Sequence, residues 1–199
     1  MNAPAAQPIA SFVDYARRLQ DVLRSSDWTP VARLAEDLQE CWNTGRQVFL
    51  CGNGGSAANA IHLANDFLYG VSKTLGSGLR VTALTANSSI LTCLANDVGY
   101  DAIFSAQLAV QAQRGDVLIA LSGSGNSPNI LKALEQAKSI GMKTYAILGY
   151  TGGKAKSMAD VPIHIAVNDM QISEDFQLII GHMLMQHLYA WRDGLAATS

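Results

Sequence analysis

The chain has 199 residues, 49 % of them hydrophobic and 15 % charged, with a formal net charge of -2. That length supports one substantial core and makes a single domain over 1–199 the default. The weak charge and the absence of any Lys/Arg block exclude the electrostatic footprint of a protein that binds nucleic acid or an anionic membrane. Cys41, Cys51 and Cys93 are an odd number without a CxxC pair, and read as small buried hydrophobes in a reducing compartment. No apolar stretch reaches the length of a membrane span, and residues 1–8 lack the basic start and apolar core of a signal peptide, so the expected location is the cytoplasm.

After a short Ala/Pro leader, apolar residues at helical spacing (Phe12, Tyr15, Ala16, Leu19, Leu23) predict a helix over 9–25, and a second over 30–43. Strands and helices then alternate. Strands are expected at 47–51, 80–84, 116–121, 143–148 and 162–166. Helices are expected at 56–69, over 88–113 in one or more pieces, at 128–140, briefly near 154–159, and at 171–191. Gly70, Gly76 and Gly78 mark a flexible surface loop before the second strand. The pattern is α/β: a three-layer αβα sandwich around a five-stranded parallel sheet, with the two N-terminal helices (1–46) ahead of a doubly wound core (47–199). Right-handed crossovers place all strand C-terminal ends on one edge, where open α/β sheets bind ligands.

Two glycine- and serine-rich runs, seventy residues apart, fall on that edge: Gly52-Asn53-Gly54-Gly55-Ser56 and Ser122-Gly123-Ser124-Gly125-Asn126-Ser127. Glycine lets the backbone approach a ligand closely. N–H groups at a helix start and serine hydroxyls then present donors to phosphate oxygens. The first run lacks G-x-G-x-x-G spacing and no Gly-Lys-Ser/Thr follows, which disfavours dinucleotide and P-loop nucleotide sites. A phosphorylated small molecule is the ligand these runs fit.

The histidines divide by context. His62 and Asp66 stand one turn apart on the helix that opens at the first run, spacing that suits a shared metal or an acid/base pair as well as a surface hydrogen bond. His182 sits in an apolar stretch of the last helix, so its ring nitrogens need partners in a core or in a site. His187 is expected to be exposed or at an interface, and His164 to be structural.

Taken together, these residues resemble the sugar isomerase (SIS) domain family and, within it, the phosphoheptose isomerase group, also called sedoheptulose-7-phosphate isomerase. The carriers are Gly52 through Ala58 with His62, Leu84-Thr85, Ser89-Ile90-Leu91-Thr92, Asn96-Asp97, Gly115 to Ile119, Ser122 to Pro128, Gly141-Met142-Lys143, Gly152-Gly153-Lys154, and Gly181-His182. The resemblance spans nearly the whole chain. It implies a homotetramer of flavodoxin-like subunits with active sites between them, a phosphosugar substrate, and a zinc ion in many members. By position it places Asn53, Gly54, Gly55 and Ser56 at the sugar phosphate or its hydroxyls, Asn96 and Asp97 on the sugar chain, and Ser122, Gly123, Ser124 and Ser127 on the phosphate. It implies His62, Asp66, Glu174 and His182 as the metal set, with Asp66, Glu174 and His182 catalytic.

The chain departs from the family at four of these positions. Asp66 stands for a glutamate, Glu174 for a glutamine, Gly123 for a threonine and Gly70 for an arginine, with Lys73 the nearest cation. Shortening Glu to Asp withdraws the carboxylate by about one methylene, and misplacement on the order of 1 Å costs roughly 100-fold, unless the backbone moves. Glu174 and His182 are eight apart, about 12 Å of rise and about 80° of rotation on a straight helix, whereas Asp175 has the better phase. The expected reaction is aldose–ketose isomerisation of sedoheptulose 7-phosphate and D-glycero-D-manno-heptose 7-phosphate. A different ketose phosphate is one alternative. The other is a non-catalytic SIS regulator, like the relative that associates with the replication initiator DnaA: that relative has a loop similar to Ser56-Ala57-Ala58-Asn59-Ala60 but lacks the histidine at 182.

Overall fold

The computed structural model describes residues 8–198, with side chains through residue 194. Most of the Ala/Pro leader therefore lies outside the described residues. Two helices come first, α1 (Pro8–Ser25) and α2 (Thr29–Thr44), followed by β1 (Gln47–Gly52) and α3 (Gly55–Asn65), which continues into a π-helical turn, Asp66–Gly70. Then come β2 (Arg80–Ala83), α4 (Ser88–Asp97), a 3-10 turn (Tyr100–Ala102), α5 (Ser105–Gln111), β3 (Val117–Ser122) and α6 (Pro128–Ile140). The chain closes with β4 (Lys143–Leu148), α7 (Ala155–Met158), β5 (Val161–His164) and α8 (Met170–Thr198).

The five strands form one parallel sheet of order β2-β1-β3-β4-β5, the flavodoxin-like order. Alternation along each strand separates two cores. Val48 and Leu50 of β1 join Ile119, Leu121 and Ile147 beneath α2, α3 and α8, whereas Phe49 and Cys51 join Leu118, Ala120 and Leu148 beneath α5, α6 and α7. Strands apolar on both faces need such a double cover, and each fully buried Leu, Ile, Val or Phe contributes about 1.5–3 kcal/mol. The three-layer αβα arrangement follows from that patterning.

Local signals set the helix ends. Pro30 and Pro128 stand in the first turns of α2 and α6, and both helices end on a left-handed glycine, Gly45 (φ 68°) and Gly141 (φ 87°). Asn87 caps α4 by accepting from the Ser89 and Ile90 N–H groups at 3.1 and 3.2 Å. The 88–113 region is broken rather than continuous, because Gly99 (φ 128°) ends the path of α4.

The 70–79 loop and Cys93 depart from expectation. The 70–79 loop is anchored: Val71 and Leu79 are buried, Trp42 Nε1 donates to the Ser77 carbonyl at 2.9 Å, and Leu79 N donates to the Phe67 carbonyl at 3.0 Å. Gly78 passes so close to the Leu68 carbonyl that an added Cβ would lie 1.6 Å from its oxygen. Cys41 and Cys51 are buried and burial pushes both thiols up to about 12, but Cys93 is exposed on α4, with its thiol turned to Asp97.

Candidate functional site

The crevice on the C-terminal edge opens between β1 and β3, where the strand order reverses. Both glycine- and serine-rich runs leave those two strands, and they meet in one cavity of about 120 Å³ lined by Asn53, Ser56, Ser122, Gly123, Ser124, Ser127, Met170 and Glu174. The second run is shaped from within: Ser122 Oγ accepts from Gly125 N at 3.1 Å, and Ser124 Oγ from Asn126 N at 3.3 Å. Gly125 has φ 66° and faces the Gly152 carbonyl, so a side chain there is excluded by conformation and by space. Ser127 is the N-cap residue of α6 but makes no side-chain cap bond, which leaves its hydroxyl to a ligand. Gly123 has a local reason to replace a larger residue, since an added Cβ would lie 2.7 Å from Met170 Sδ.

Asn53 is held on the opposite wall. Its side-chain amide exchanges two hydrogen bonds with Asn129, at 2.9 and 2.8 Å, and Tyr100 donates to its Oδ1 at 3.1 Å. Gly54 (φ 56°) precedes α3, and its carbonyl accepts from the Ala57 and Ala58 N–H groups. Gly55 and Ser56 begin the helix, so their N–H groups have no partner within it, and Ser56 lines the cavity. Ser56 is buried, and its Oγ accepts from Gln177 Nε2 at 2.9 Å.

From there α3 and α8 run side by side in the same direction. Asn59 Nδ2 donates to the Glu174 carbonyl at 3.0 Å and to Gln177 Oε1 at 2.9 Å, and Gly181 packs against Leu63 so closely that an added Cβ would lie 2.0 Å from a methyl carbon. One turn on, His62 Nε2 and His182 Nε2 stand 3.0 Å apart, and Asp66 Oδ2 is 3.4 Å from the first and 3.5 Å from the second. The Asp66 side chain is only 15 % exposed, while the imidazoles retain 49 % and 45 %. His182 is thus a half-open groove residue, not a core one.

These three side chains form the only group of three or more metal-ligating side chains found among the described residues. With zinc–ligand bonds of about 2.0–2.2 Å, tetrahedral donors stand roughly 3.3–3.6 Å apart; both carboxylate–imidazole spacings fall in that range, the 3.0 Å between the two imidazole nitrogens is somewhat shorter, and a donor set of two imidazoles and a carboxylate suits zinc chemically. The helix widens to π geometry at Asp66, where Val71 N donates to the Asp66 carbonyl at 3.0 Å.

Other expected residues fall elsewhere. Glu174 does not join the His–Asp cluster. Its carboxylate lies against Gly55, where an added Cβ would meet Oε2 at 2.4 Å, and so it lines the serine cavity. The helical separation from His182 accounts for this. Asp175, despite its better phase, accepts the Tyr15 hydroxyl of α1, and burial followed by that carboxylate pushes the phenol up to about 12. Asn96 and Asp97 bond to each other at the exposed end of α4 and do not line the cavity. Lys73 lies over the Tyr189 ring rather than at the site.

His164 is structural as expected: Nε2 donates to the Tyr150 carbonyl at 2.9 Å and Nδ1 faces Lys156 Nζ at 3.0 Å. His187 is exposed beside Gln39. Asn59, Asn129 and Gln177 escaped sequence reasoning. The partners that place them lie 76 to 121 residues away, and no local pattern announces them.

Comparison with known proteins agrees with this geometry. The SIS domain family model matches residues 11–149. The phosphoheptose isomerase of Chlorobaculum parvum is 37 % identical over 174 residues, covering 86 % of this chain and 83 % of the relative. That of Trichlorobacter lovleyi is 39 % identical over 175 residues, covering 85 % and 89 %. Among solved structures, phosphoheptose isomerase GmhA from Neisseria gonorrhoeae matches with a TM-score of 0.82 at 30 % identity, over 92 % of this chain and 96 % of that one. With its two glycine- and serine-rich loops, its paired histidines and matches over most of its length, the chain belongs to the SIS domain family and, within it, to the phosphoheptose isomerases.

Proposed function

We propose that this chain interconverts sedoheptulose 7-phosphate and D-glycero-D-manno-heptose 7-phosphate through an enediol. The observation that carries the reading is the spacing of two sites along one helix. Ser56 lines the anion cavity and His62, six residues later, belongs to the His–Asp cluster, so about 9 Å of helix separates them. That distance is comparable with the reach of an extended heptose from its phosphate to its carbonyl end.

The phosphate is held by the Ser124 and Ser127 hydroxyls and the N–H groups that open α3 and α6, while the carbonyl end reaches the cluster. Asp66 removes the proton from C2 of the aldose, the electron pair moves into the C1–C2 enediol, and the proton returns at C1 to give the ketose. His62 and His182, 3.0 Å apart, are placed to pass the hydroxyl proton between O2 and O1. Alternatively His62, Asp66 and His182 would hold a zinc ion through Nε2, Oδ2 and Nε2, and the ion would then supply positive charge against the developing oxyanion in place of the histidine relay, leaving Asp66 Oδ1 for the proton on carbon. Glu174 lines the phosphate end and acts on binding rather than on carbon.

We further propose that residues 1–199 form one domain and that the protein works in the cytoplasm as a homotetramer with sites between subunits. The exposed apolar residues Ile9, Phe12 and Val13 of α1 favour self-association. The decisive assay incubates purified protein with sedoheptulose 7-phosphate, with and without added zinc, and follows the aldose. Tight phosphosugar binding without turnover in either condition would overturn the isomerase reading in favour of a regulator.

A further inference from the structure

The opposite edge of the sheet carries a second concave surface that the isomerase chemistry does not use. Arg46 on the turn into β1, Arg80 at the start of β2 and Arg192 near the end of α8 line a depression of about 380 Å³ with Trp42 and Ser77, and no Asp or Glu lines it. Arg80 pairs in register with Gln47 at the first residue of β1, whereas the phosphate loop begins beyond Gly52 at the other end. The depression is therefore one strand length, roughly 16–20 Å, from the serine cavity.

Its arginines are fixed in place. Arg46 Nη1 donates to the Arg114 carbonyl at 2.7 Å and Arg80 Nη1 to the Gly45 carbonyl at 2.9 Å. Arg192 lies 5.3 Å from the centroid of the Trp42 ring, and that indole is pinned in turn by its bond to the Ser77 carbonyl. Among the described residues none of the three forms an ion pair; those found involve Arg17, Arg18, Lys132, Lys138 and two histidines. A guanidinium carries several N–H donors in a planar fork, so each of these has donors left over.

Arg46 and Arg80 also face a larger cavity of about 590 Å³ on their other side, where Asp116 already accepts the Gln47 and Gln113 N–H groups. Three guanidiniums from three elements, held by neutral partners around a concavity without acids, form an anion receptor. Glu40 and Asp116 line that larger cavity and repel anions there, so the receptor is the acid-free depression, whose three guanidiniums carry more positive charge than one phosphate group balances.

We infer that this depression is a second ligand site, taking a small molecule that carries a diphosphate group. Tryptophan fluorescence reports on it directly. Trp42 is in its wall with Trp191 5.8 Å away, Trp28 is stacked on Phe176, and no tryptophan lines the serine cavity.

Inorganic pyrophosphate titrated into the full chain at constant ionic strength is expected to give a saturable fluorescence change. That change should persist in Ser124→Ala and weaken about tenfold in Arg80→Gln and in Arg192→Gln, with Arg80→Lys in between because it keeps charge but loses the fork. Circular dichroism melts of each variant separate a lost site from a lost fold, and the exposed position of Arg80 favours retention of the fold. No saturable change, or one abolished by Ser124→Ala and unmoved by Arg80→Gln and Arg192→Gln, would overturn the inference.

Discussion

Two carboxylates sit along the same pair of helices and meet opposite surroundings. Glu174 faces Gly55 and the serine loops, a surface of N–H and hydroxyl donors suited to anions. Asp66 faces two imidazoles whose ring nitrogens lie 3.4 and 3.5 Å from its oxygen. The same functional group therefore meets two settings, and the proposed function draws two roles from them. At the first position a negative charge would compete with a phosphate; at the second it would accept a proton or hold a cation.

The contrast can be broken by experiment, and the largest effect is expected at Asp66. Asp66→Asn should lower turnover by about 10³-fold or more while phosphosugar binding, followed by calorimetry, changes by less than about threefold. Near-normal turnover would move the base to Glu174 or His182. Next in size is Gly181→Ala, which forces a methyl group into Leu63 where the two helices touch. Overpacking of this kind costs about 1–3 kcal/mol and should lower the melting temperature by about 3–10 °C. An unchanged melt would show that the α3–α8 contact yields more easily than its closeness implies.

Glu174→Gln should act in the opposite direction. Removing one charge beside the phosphate is worth about 1 kcal/mol, so KM for the sugar phosphate should fall roughly fivefold with kcat little changed. A collapse of kcat instead would give Glu174 a chemical role and erase the distinction between the two acids. The smallest effect concerns the entry to α8, where hydrogen bonding to Arg18 first, and to the Ile172 N–H second, holds the Asp169 carboxyl below its usual range. A lowered folded-state value stabilises the fold above the unfolded value, about 3.9, and that contribution disappears as pH falls through the folded one. Asp169→Asn should therefore lower stability by less than about 1 kcal/mol at pH 7, as Arg18 is partly solvated, and the deficit should vanish in melts near pH 2.

The sheet was legible because buried parallel strands announce themselves. Val117-Leu118-Ile119-Ala120-Leu121 has no polar face, and Pro128 and Gly141 bracket α6 by mechanisms that act within a few residues. The two loops were legible for the same local reason. What escaped depends on geometry built by distant parts of the chain. The π turn at Asp66 obeys no propensity in 66–70. The position of Glu174 follows from how α8 slides along α3, and the pinned 70–79 loop depends on a tryptophan in α2. Family likeness placed Glu174 with the histidines; the phase and rise of the helix, already visible in the spacing, argued against it.

The direction of α3 also shapes the electrostatic potential along the crevice. The helix is 11 residues long, about 16 Å, and it starts at the serine cavity and ends at the His–Asp cluster. Its aligned peptide dipoles place roughly half a positive charge at Gly55, and because the helical path runs on through the π turn to Gly70, the balancing negative pole lies beyond the His–Asp cluster. The proposed phosphate site thus gains positive potential from the helix itself, while the His–Asp cluster, part-way along it, relies on its own carboxylate to attract a cation. A sugar phosphate lying along the helix in the proposed way would be turned phosphate-first before any side chain made contact.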